Sequence, residues 1–147
     1  MDICTFLSAT SLFSALEPAT VQRLAACCRM ETYPEGATLF VAGDPGDEMF
    51  VVVSGSVKVL VPSEDGDITL ATLSHGDTLG ELALLEVGGR RSATAVAVEP
   101  SDLLVVARHD FDTILRSSPD FLYRQLCEVA MRLRQTNQLL SSQASID

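Results

Sequence analysis

The spacing of apolar residues changes twice along the chain and divides the sequence into three segments. In the first segment, apolar side chains recur every three or four residues, which is the spacing of one helix face. They are Val21, Leu24, Ala25 and Cys28. The dipeptide Glu17-Pro18 stands just before this face, and proline suits the first turn of a helix. The pattern predicts helices within residues 1–30.

The second segment, residues 31–108, consists of short apolar runs separated by turn residues. The turns are Pro34-Glu35-Gly36, Gly43-Asp44-Pro45-Gly46, Ser54-Gly55, Glu64-Asp65-Gly66-Asp67, His75-Gly76-Asp77 and Gly88-Gly89. Turn signals about 8 to 12 residues apart are typical of a β-sandwich or barrel. Asp65-Gly66 in particular predicts a hairpin. Val57, Val59 and Val61 alternate with other residues, as in a strand with one buried face.

In the third segment the helical spacing returns, first as a short helix over residues 110–116. Ser117-Ser118-Pro119-Asp120 then offers a cap, a first-turn proline and an acidic first turn. A heptad seam follows, apolar except for one threonine. Its members are Leu122, Leu126, Val129, Leu133, Thr136 and Leu140. This seam predicts a long helix over 119–140 that pairs with a second copy to form a homodimer, followed by a frayed tail at 141–147.

These three segments predict one α+β domain built on a β jelly roll, or double-stranded β-helix. N-terminal helices occupy residues 1–30, the jelly-roll core residues 31–108, and C-terminal helices residues 109–140. A chain of 147 residues that is 47% hydrophobic can fill such a core without disulfide bonds.

The formal net charge of −10 argues against two classes of partner. Nucleic acids and anionic lipid surfaces both attract basic proteins, so neither is expected to bind within this chain. The N-terminus lacks a basic signal region, and no apolar run approaches the roughly 18 residues of a membrane span. We expect a soluble cytoplasmic protein. We expect its cysteines to be reduced and to lie buried as small hydrophobic side chains. They are Cys4, Cys27, Cys28 and Cys127.

The sequence carries no pattern of a catalytic or metal site. Its only histidines are His75 and His109, and they have no metal-ligand spacing. Ser74-His75 is a dipeptide rather than part of a triad. We therefore expect a protein that is not an enzyme and that has neither metal nor cofactor.

The segment Gly80 to Ala97 carries the candidate chemistry. Gly80 allows close approach of a ligand to the backbone, and the next residues can form one helical turn whose amides suit an anion. Arg91 offers a planar fork for phosphate oxygens, and Ser92 adds a hydroxyl donor. Glu81 is an acceptor suited to a ribose hydroxyl, so these groups together predict a nucleotide site. The alternative is an ordinary surface helix in which Glu81 and Arg91 pair.

The same residues resemble the phosphate-binding cassette of cyclic-nucleotide-binding domains. In that family, Gly-Glu-x-small-Leu is followed after a short gap by Arg, then Ser, Thr or Ala, and then Ala. A second similar element comprises Leu39–Gly46, Met49–Val52 and Gly55. The resemblance implies that the ligand is bound by the cassette, with Thr94 as a further candidate. The implied cassette residues are Gly80, Glu81, Leu82, Ala83, Arg91, Ser92 and Ala93.

From Gly80 to Asn137 the chain is similar to the catabolite activator branch of this family. The similarity implies that Thr136 bonds the adenine amino group and that Asn137 reaches the base from the other subunit. Asn137 stands where that branch has serine, which leaves the cross-subunit contact open. Arg132 is a further candidate near the ligand. Ser92, where a threonine would imply cGMP, implies cAMP as the ligand and cGMP as the second choice.

Three interpretations remain open from the sequence. The chain is a cAMP-binding regulatory module with an unidentified downstream protein, a ligand-free dimerisation or docking module, or the regulatory domain of a transcription factor. Loss of ligand binding in this fold typically involves loss of the cassette Glu or Arg, and both Glu81 and Arg91 are present. A cyclic dinucleotide fits poorly because the cassette is sized for one phosphate.

Overall fold

The computed structural model describes residues 2–144, with side chains as far as residue 142. The N-terminal helices are α1 (Ile3–Ala9), a short 3₁₀ helix (Phe13–Ala15) and α2 (Pro18–Cys27). Pro18 occupies the first turn of α2, as predicted. The side chain of Asp2 caps α1 by accepting a hydrogen bond from the amide of Cys4 at 3.0 Å.

The middle of the chain forms two four-stranded antiparallel sheets. The strands are β1 (Arg29–Tyr33), β2 (Thr38–Phe40), β3 (Glu48–Ser54), β4 (Val57–Val61), β5 (Ile68–Leu73), β6 (Thr78–Leu79), β7 (Thr94–Ala97) and β8 (Ser101–Ala107). One sheet has the order β1-β8-β3-β6 and the other β2-β7-β4-β5. Strands β4 and β5 pair across the turn that contains Asp65-Gly66, as predicted. The predicted jelly roll is confirmed.

Strand β3 separates two apolar clusters because both of its faces are buried. Phe50 and Val52 point to the inside of the barrel, where they meet side chains of β8 and β7. Met49 and Val51 belong to the cluster between the barrel and the helices. This strand therefore reads as a continuous apolar run rather than an alternating one. Burial on both sides gives the cassette, which follows β6 at the edge of the same sheet, a rigid support.

A short helix, α3 (Glu81–Leu85), follows β6, and two helices complete the fold, α4 (Arg108–Ser117) and α5 (Pro119–Ala144). Ser118 caps α5 as predicted, since its hydroxyl oxygen accepts a hydrogen bond from the amide of Phe121 at 3.3 Å. Helix α5 continues to Ala144, four residues beyond the predicted end at residue 140, and the fraying of the tail stays a prediction. Residues 145–147 lie outside the described part of the chain. Arg124 anchors α5 to the N-terminal segment by donating to the carbonyl of Ser11 at 2.7 Å.

The heptad seam of α5 is divided between two directions. Leu126 and Leu133 are each 60% exposed, and Leu122 and Leu140 are also exposed. Val129 and Thr136 are half-buried against this chain's own domain. Part of the predicted seam therefore covers this chain's own domain, and the pairing of the helix with a second copy stays a prediction. The exposed leucines leave an apolar face on α5 that the domain itself does not cover.

All four cysteines are free thiols, but the expectation that they are buried is wrong. Cys27 and Cys127 are exposed, whereas Cys4 and Cys28 are half-buried. Burial raises the pKa of the Cys28 thiol to about 12. Among residues 2–144, no helix is long and apolar enough to cross a membrane, and no group of acidic, histidine and cysteine side chains could hold a metal ion.

Candidate functional site

A cavity lies between the sheet β2-β7-β4-β5, the cassette and α5. Apolar side chains line its barrel side: Phe40, Val59, Leu70, Ala71, Leu73 and Leu79. The cassette contributes Gly80, Glu81, Leu82, Ala83, Arg91, Ser92 and Ala93, and α5 contributes Arg132, Gln135 and Thr136. Nine sequence-predicted residues therefore lie around one cavity, although they come from segments that are up to 56 residues apart.

Two glycines make room for the side chain of Arg91. Gly80 links β6 to the short helix α3 (Glu81–Leu85) in a left-handed conformation, with φ of 88°. A Cβ atom at Gly80 would lie 2.8 Å from Nη1 of Arg91, and one at Gly46 would lie 2.5 Å from its Nε. Any larger residue at either position would therefore displace the guanidinium group.

The guanidinium group of Arg91 is buried and held by neutral partners. Its Nη1 donates to the carbonyl of Gly80 at 2.9 Å, and its Nη2 donates to the carbonyl of Glu48 at 2.8 Å. The group lies 4.2 Å from the centroid of the Phe40 ring, a cation–π contact. Burial lowers the pKa of Arg91, and the charge of Asp47 partly offsets this effect. An arginine remains charged even so.

Arg91 still has unused hydrogen-bonding capacity. Its side chain is 7% exposed, and its Nε has no hydrogen-bond partner among the described residues. No carboxylate of residues 2–142 forms an ion pair with it. A buried cation without an ion-pair partner is costly, so this position favours an anion.

Glu81 is 1% exposed and forms an ion pair with Arg132 of α5, with a distance of 2.5 Å between Oε1 and Nη1. Arg132 also donates to the carbonyl of Thr78. The second carboxylate oxygen of Glu81, Oε2, is buried and has no partner in the part of the chain that the structure describes. The alternative of a surface helix with Glu81 paired to Arg91 is therefore wrong. The free oxygen is an acceptor available to a hydroxyl group.

Comparison with known protein families decides between the possible classes of anion site. A sequence model described as the cyclic nucleotide-binding domain matches residues 30–118, which is more than half of the chain. The chain belongs to the cyclic nucleotide-binding domain family. The matched range contains all eight strands of the barrel except Arg29, the first residue of β1, and all cassette residues of the cavity.

Individual relatives agree with this assignment. The cAMP-activated global transcriptional regulator CRP of Pasteurella multocida is 35% identical over 121 residues, which is 82% of this chain and 58% of the relative. The crystal structure of the Thermus thermophilus catabolite activator protein matches with a TM-score of 0.77 and 34% identity, over 90% of this chain and 62% of that one. The N-terminal domain of a transcriptional regulator from Streptomyces coelicolor A3(2) is 36% identical with a TM-score of 0.69, over 92% of this chain and 94% of that one.

The cyclic nucleotide-binding domain described here spans about three fifths of the length of the curated relatives that it matches. These relatives are regulators or receptors rather than enzymes. The domain is accordingly a regulatory binding domain that resembles the CRP proteins.

Two predicted site residues do not line the cavity of this cyclic nucleotide-binding domain. Thr94 lies on β7, and its hydroxyl oxygen accepts a hydrogen bond from the amide of Ala42 at 3.0 Å. Its role in this structure is to join β7 to the segment that follows β2. Asn137 is exposed on α5, beside the cavity residue Thr136 but outside the lining. Within one chain, Asn137 therefore forms no part of the cavity wall.

The sequence interpretation missed two side chains that the domain places at the cavity. Phe40 supports the guanidinium group of Arg91, a role that its place in the similar element Leu39–Gly46 does not reveal. Gln135 lines the cavity next to Arg132 and Thr136. Residues three and four apart share one helix face, so the positions of Arg132 and Thr136 already pointed to residue 135 or its neighbours.

Proposed function

We propose that this domain binds cAMP in the cavity and reports the occupancy of the cavity through α5. The observation that carries the proposal is the pair of unsatisfied buried groups on the cassette, Nε of Arg91 and Oε2 of Glu81. One is a donor with positive charge and the other is an acceptor. Both belong to residues that match the family motif, and both line the same cavity.

Arg91 and Ser92 would bind the cyclic phosphate. A phosphodiester carries one negative charge, which would neutralise the buried guanidinium group that lacks a carboxylate partner. The hydroxyl of Ser92, on an exposed residue at the edge of the cavity, would add a neutral donor. Phe40 would hold the plane of the guanidinium group while the phosphate binds at its edge.

Glu81 would accept a hydrogen bond from the ribose 2′-hydroxyl through Oε2. Its other oxygen stays bonded to Arg132, so the carboxylate would serve the ligand and α5 at the same time. The ribose hydroxyl would satisfy an acceptor that is otherwise buried without a partner. A deoxyribose ligand would lack this contact.

The base would lie towards α5, between the apolar residues Val59 and Leu70 and the hydroxyl of Thr136. Thr136 would accept from the adenine amino group, and Gln135 would add a carboxamide beside it. Asn137 would reach the base of a second copy if the exposed leucines of α5 join two chains. The preference for cAMP over cGMP rests on Ser92 and on the Pasteurella relative, which is a cAMP-activated regulator.

The uncovered face of α5 supports a homodimer as the form in which the domain works. Leu122, Leu126, Leu133 and Leu140 form an exposed apolar line along the helix. Two such helices packed side by side would cover each other's leucines. A ligand can shift α5 only by the difference between its affinities for two positions of the helix.

The test is calorimetric titration of ligand-stripped protein with cAMP and then with cGMP. We expect binding at micromolar or lower concentration, with cAMP preferred. Arg91→Ala should lose about 2–5 kcal/mol of binding free energy, the scale for truncating one partner of a buried charged pair. Arg90→Ala is the matched control, because Arg90 is exposed and its side chain, among the described residues, bonds only the carbonyl of Gly43, at 2.9 Å.

Either of two results would overturn the proposal. Unchanged affinity in Arg91→Ala would remove the cassette from the binding site. Absence of heat with both nucleotides, from protein shown to be folded and empty, would favour the ligand-free docking module.

A second candidate function is favoured by the relatives that are transcriptional regulators and are longer than this chain. In this interpretation the domain is the regulatory part of a transcription factor, and α5 leads towards a DNA-binding part. A cytoplasmic location would follow from such a function. A longer open reading frame at the source locus that encodes a DNA-binding segment would support it.

A further inference from the structure

The guanidinium group of Arg108, the first residue of α4, bonds three backbone carbonyl oxygens around the cassette. Its Nη1 donates to the carbonyl of Leu84 at 3.1 Å. Its Nη2 donates to the carbonyl of Ala83 at 3.0 Å and to that of Gly46 at 2.7 Å. Arg108 itself does not line the cavity. One side chain outside the cavity therefore joins two segments that surround Arg91.

These contacts satisfy groups that α3 cannot satisfy alone. The helix has five residues, so its last carbonyl oxygens have no intrahelical partner. A cation at the C-terminal end of a helix also interacts favourably with the partial negative charge there. Arg108 has no ion-pair partner within the described range, so its charge acts on these carbonyl groups. The shape of α3 depends on this side chain as well as on its own short backbone ladder.

The third carbonyl belongs to a residue that touches the predicted phosphate-binding side chain. A Cβ atom at Gly46 would lie 2.5 Å from Nε of Arg91 and 2.8 Å from the Cβ of Ala83. Movement of the backbone at Gly46 would consequently press on Arg91 or open space beside it. Arg108 fixes the distance between this backbone and α3.

Arg108 also begins the helix α4, which packs against α5. Its amide donates to the carbonyl of Asp47 at 2.8 Å, which ties the first turn of α4 to the same loop. Farther along α4, the ring of Phe111 packs edge-on against that of Phe121 in α5, with centroids 6.1 Å apart. Hydrogen bonds of Arg108 thus connect the cassette to α4, and α4 packs on α5.

We propose that Arg108 is a positioning residue of the cavity and the joint through which α3 and α4 move together. It keeps α3, which carries Glu81, Leu82 and Ala83 of the cavity lining, in the shape that accepts a ligand. A displacement of α3 is passed to α4 through the two hydrogen bonds to Ala83 and Leu84, and the third bond carries it to the backbone of Gly46. The part of this inference that concerns ligand affinity rests on the proposed function, whereas the part that concerns the shape of α3 does not.

The test compares Arg108→Met with Arg116→Met in the full chain. Methionine keeps an unbranched apolar stem and removes the donors. Arg116 lies on the same helix and has no hydrogen bond or ion pair in the described part of the molecule, so it controls for loss of charge. In ligand-free protein, Arg108→Met should speed amide hydrogen exchange about tenfold or more in α3 and at Gly46, because charged hydrogen bonds are lost locally.

Exchange in β3 and β8 should stay at the wild-type level in Arg108→Met, and Arg116→Met should match the wild type throughout. Arg108→Lys should restore part of the protection in α3, since an ammonium group can still donate to a carbonyl. Unchanged exchange in α3, or an equal increase in α3, β3 and β8, would overturn the inference. If Arg108→Met does not fold, amide hydrogen exchange in α3 of Arg108→Lys is compared with exchange in β3 and β8 of the same variant, and the same outcomes apply.

Titration with cAMP separates this inference from the proposed function. Local loss of protection together with about tenfold weaker binding in Arg108→Met supports both. Absence of cAMP binding in the wild type overturns the proposed function, and the exchange experiment then still decides whether Arg108 positions α3.

Discussion

Arg132 of α5 and Glu81 of α3 form an ion pair with 2.5 Å between Nη1 and Oε1, although 51 residues separate them in sequence. The carboxylate is buried, whereas the Arg132 side chain is 30% exposed. The pair connects the long helix directly to the cassette. It also leaves Oε2 of Glu81 as the oxygen that faces no protein donor in the described structure.

We predict that Arg132→Met lowers the free energy of unfolding by about 2–3 kcal/mol, because it leaves a buried carboxylate without its cation. The double variant Glu81→Gln/Arg132→Met should recover part of this loss, since no charge is then buried alone. Urea unfolding of the wild type, the two single variants and the double variant measures the coupling free energy between Glu81 and Arg132. A loss below about 0.5 kcal/mol in Arg132→Met, typical of surface substitutions, would contradict the prediction.

The exposed leucines of α5 give a prediction about self-association. Leu133→Glu should lower the dimer association constant at least about tenfold, because it puts a charge into an apolar contact. Gln138→Glu is the control, because Gln138 is exposed on α5 but lies outside the heptad seam. Sedimentation velocity at micromolar concentration measures both. Wild-type protein that is monomeric with and without cAMP would disprove the dimer.

The hydroxyl of Thr136 gives a prediction about ligand affinity. Thr136→Val keeps the shape of the side chain and removes the hydroxyl, so the affinity for cAMP should fall about fivefold to tenfold, the scale of one neutral hydrogen bond. Thr136→Ser keeps the hydroxyl and should stay close to the wild type. Equal affinities of all three proteins in calorimetric titration would mean that the base does not use this residue.

The adjacent cysteines give a prediction about thiol reactivity. Cys27 is exposed, whereas burial raises the pKa of Cys28 to about 12, well above its ordinary value. The thiolate is the nucleophile, so Cys28 should stay protonated and unreactive at pH 8. Iodoacetamide should therefore modify Cys27 before Cys28, as followed by peptide mass spectrometry. Faster modification of Cys28 in folded protein would contradict its burial.

Local signals in the sequence predict the barrel and the cassette well. The hairpin at Asp65-Gly66, the cap at Ser118 and the first-turn proline of α2 each depend on residues close together in the chain. Such features have a fixed local chemistry, so sequence reasoning finds them. The cassette residues are found for the same reason, because Gly80 to Ala93 form one continuous segment.

Features that depend on distant packing are not predictable in this way. The heptad pattern of α5 does not show which of its members the domain covers. Val129 and Thr136 are half-buried, whereas Leu126 and Leu133 are exposed. Thr94 resembles a ligand donor in sequence, yet its hydroxyl serves the amide of Ala42. The contacts of Arg108 leave no sequence signal, because every residue has a carbonyl group to offer.

The burial of Arg91 inside an acidic molecule has a consequence for binding kinetics. With a formal net charge of −10, the domain repels an approaching anion over long range, and dissolved ions screen that repulsion. The final contact with Arg91, at 7% exposure, is sheltered from the same ions. Raising the ionic strength should therefore speed association of a nucleotide and hardly alter its dissociation. Affinity would then rise with salt, opposite to the behaviour of an exposed basic patch that binds phosphate.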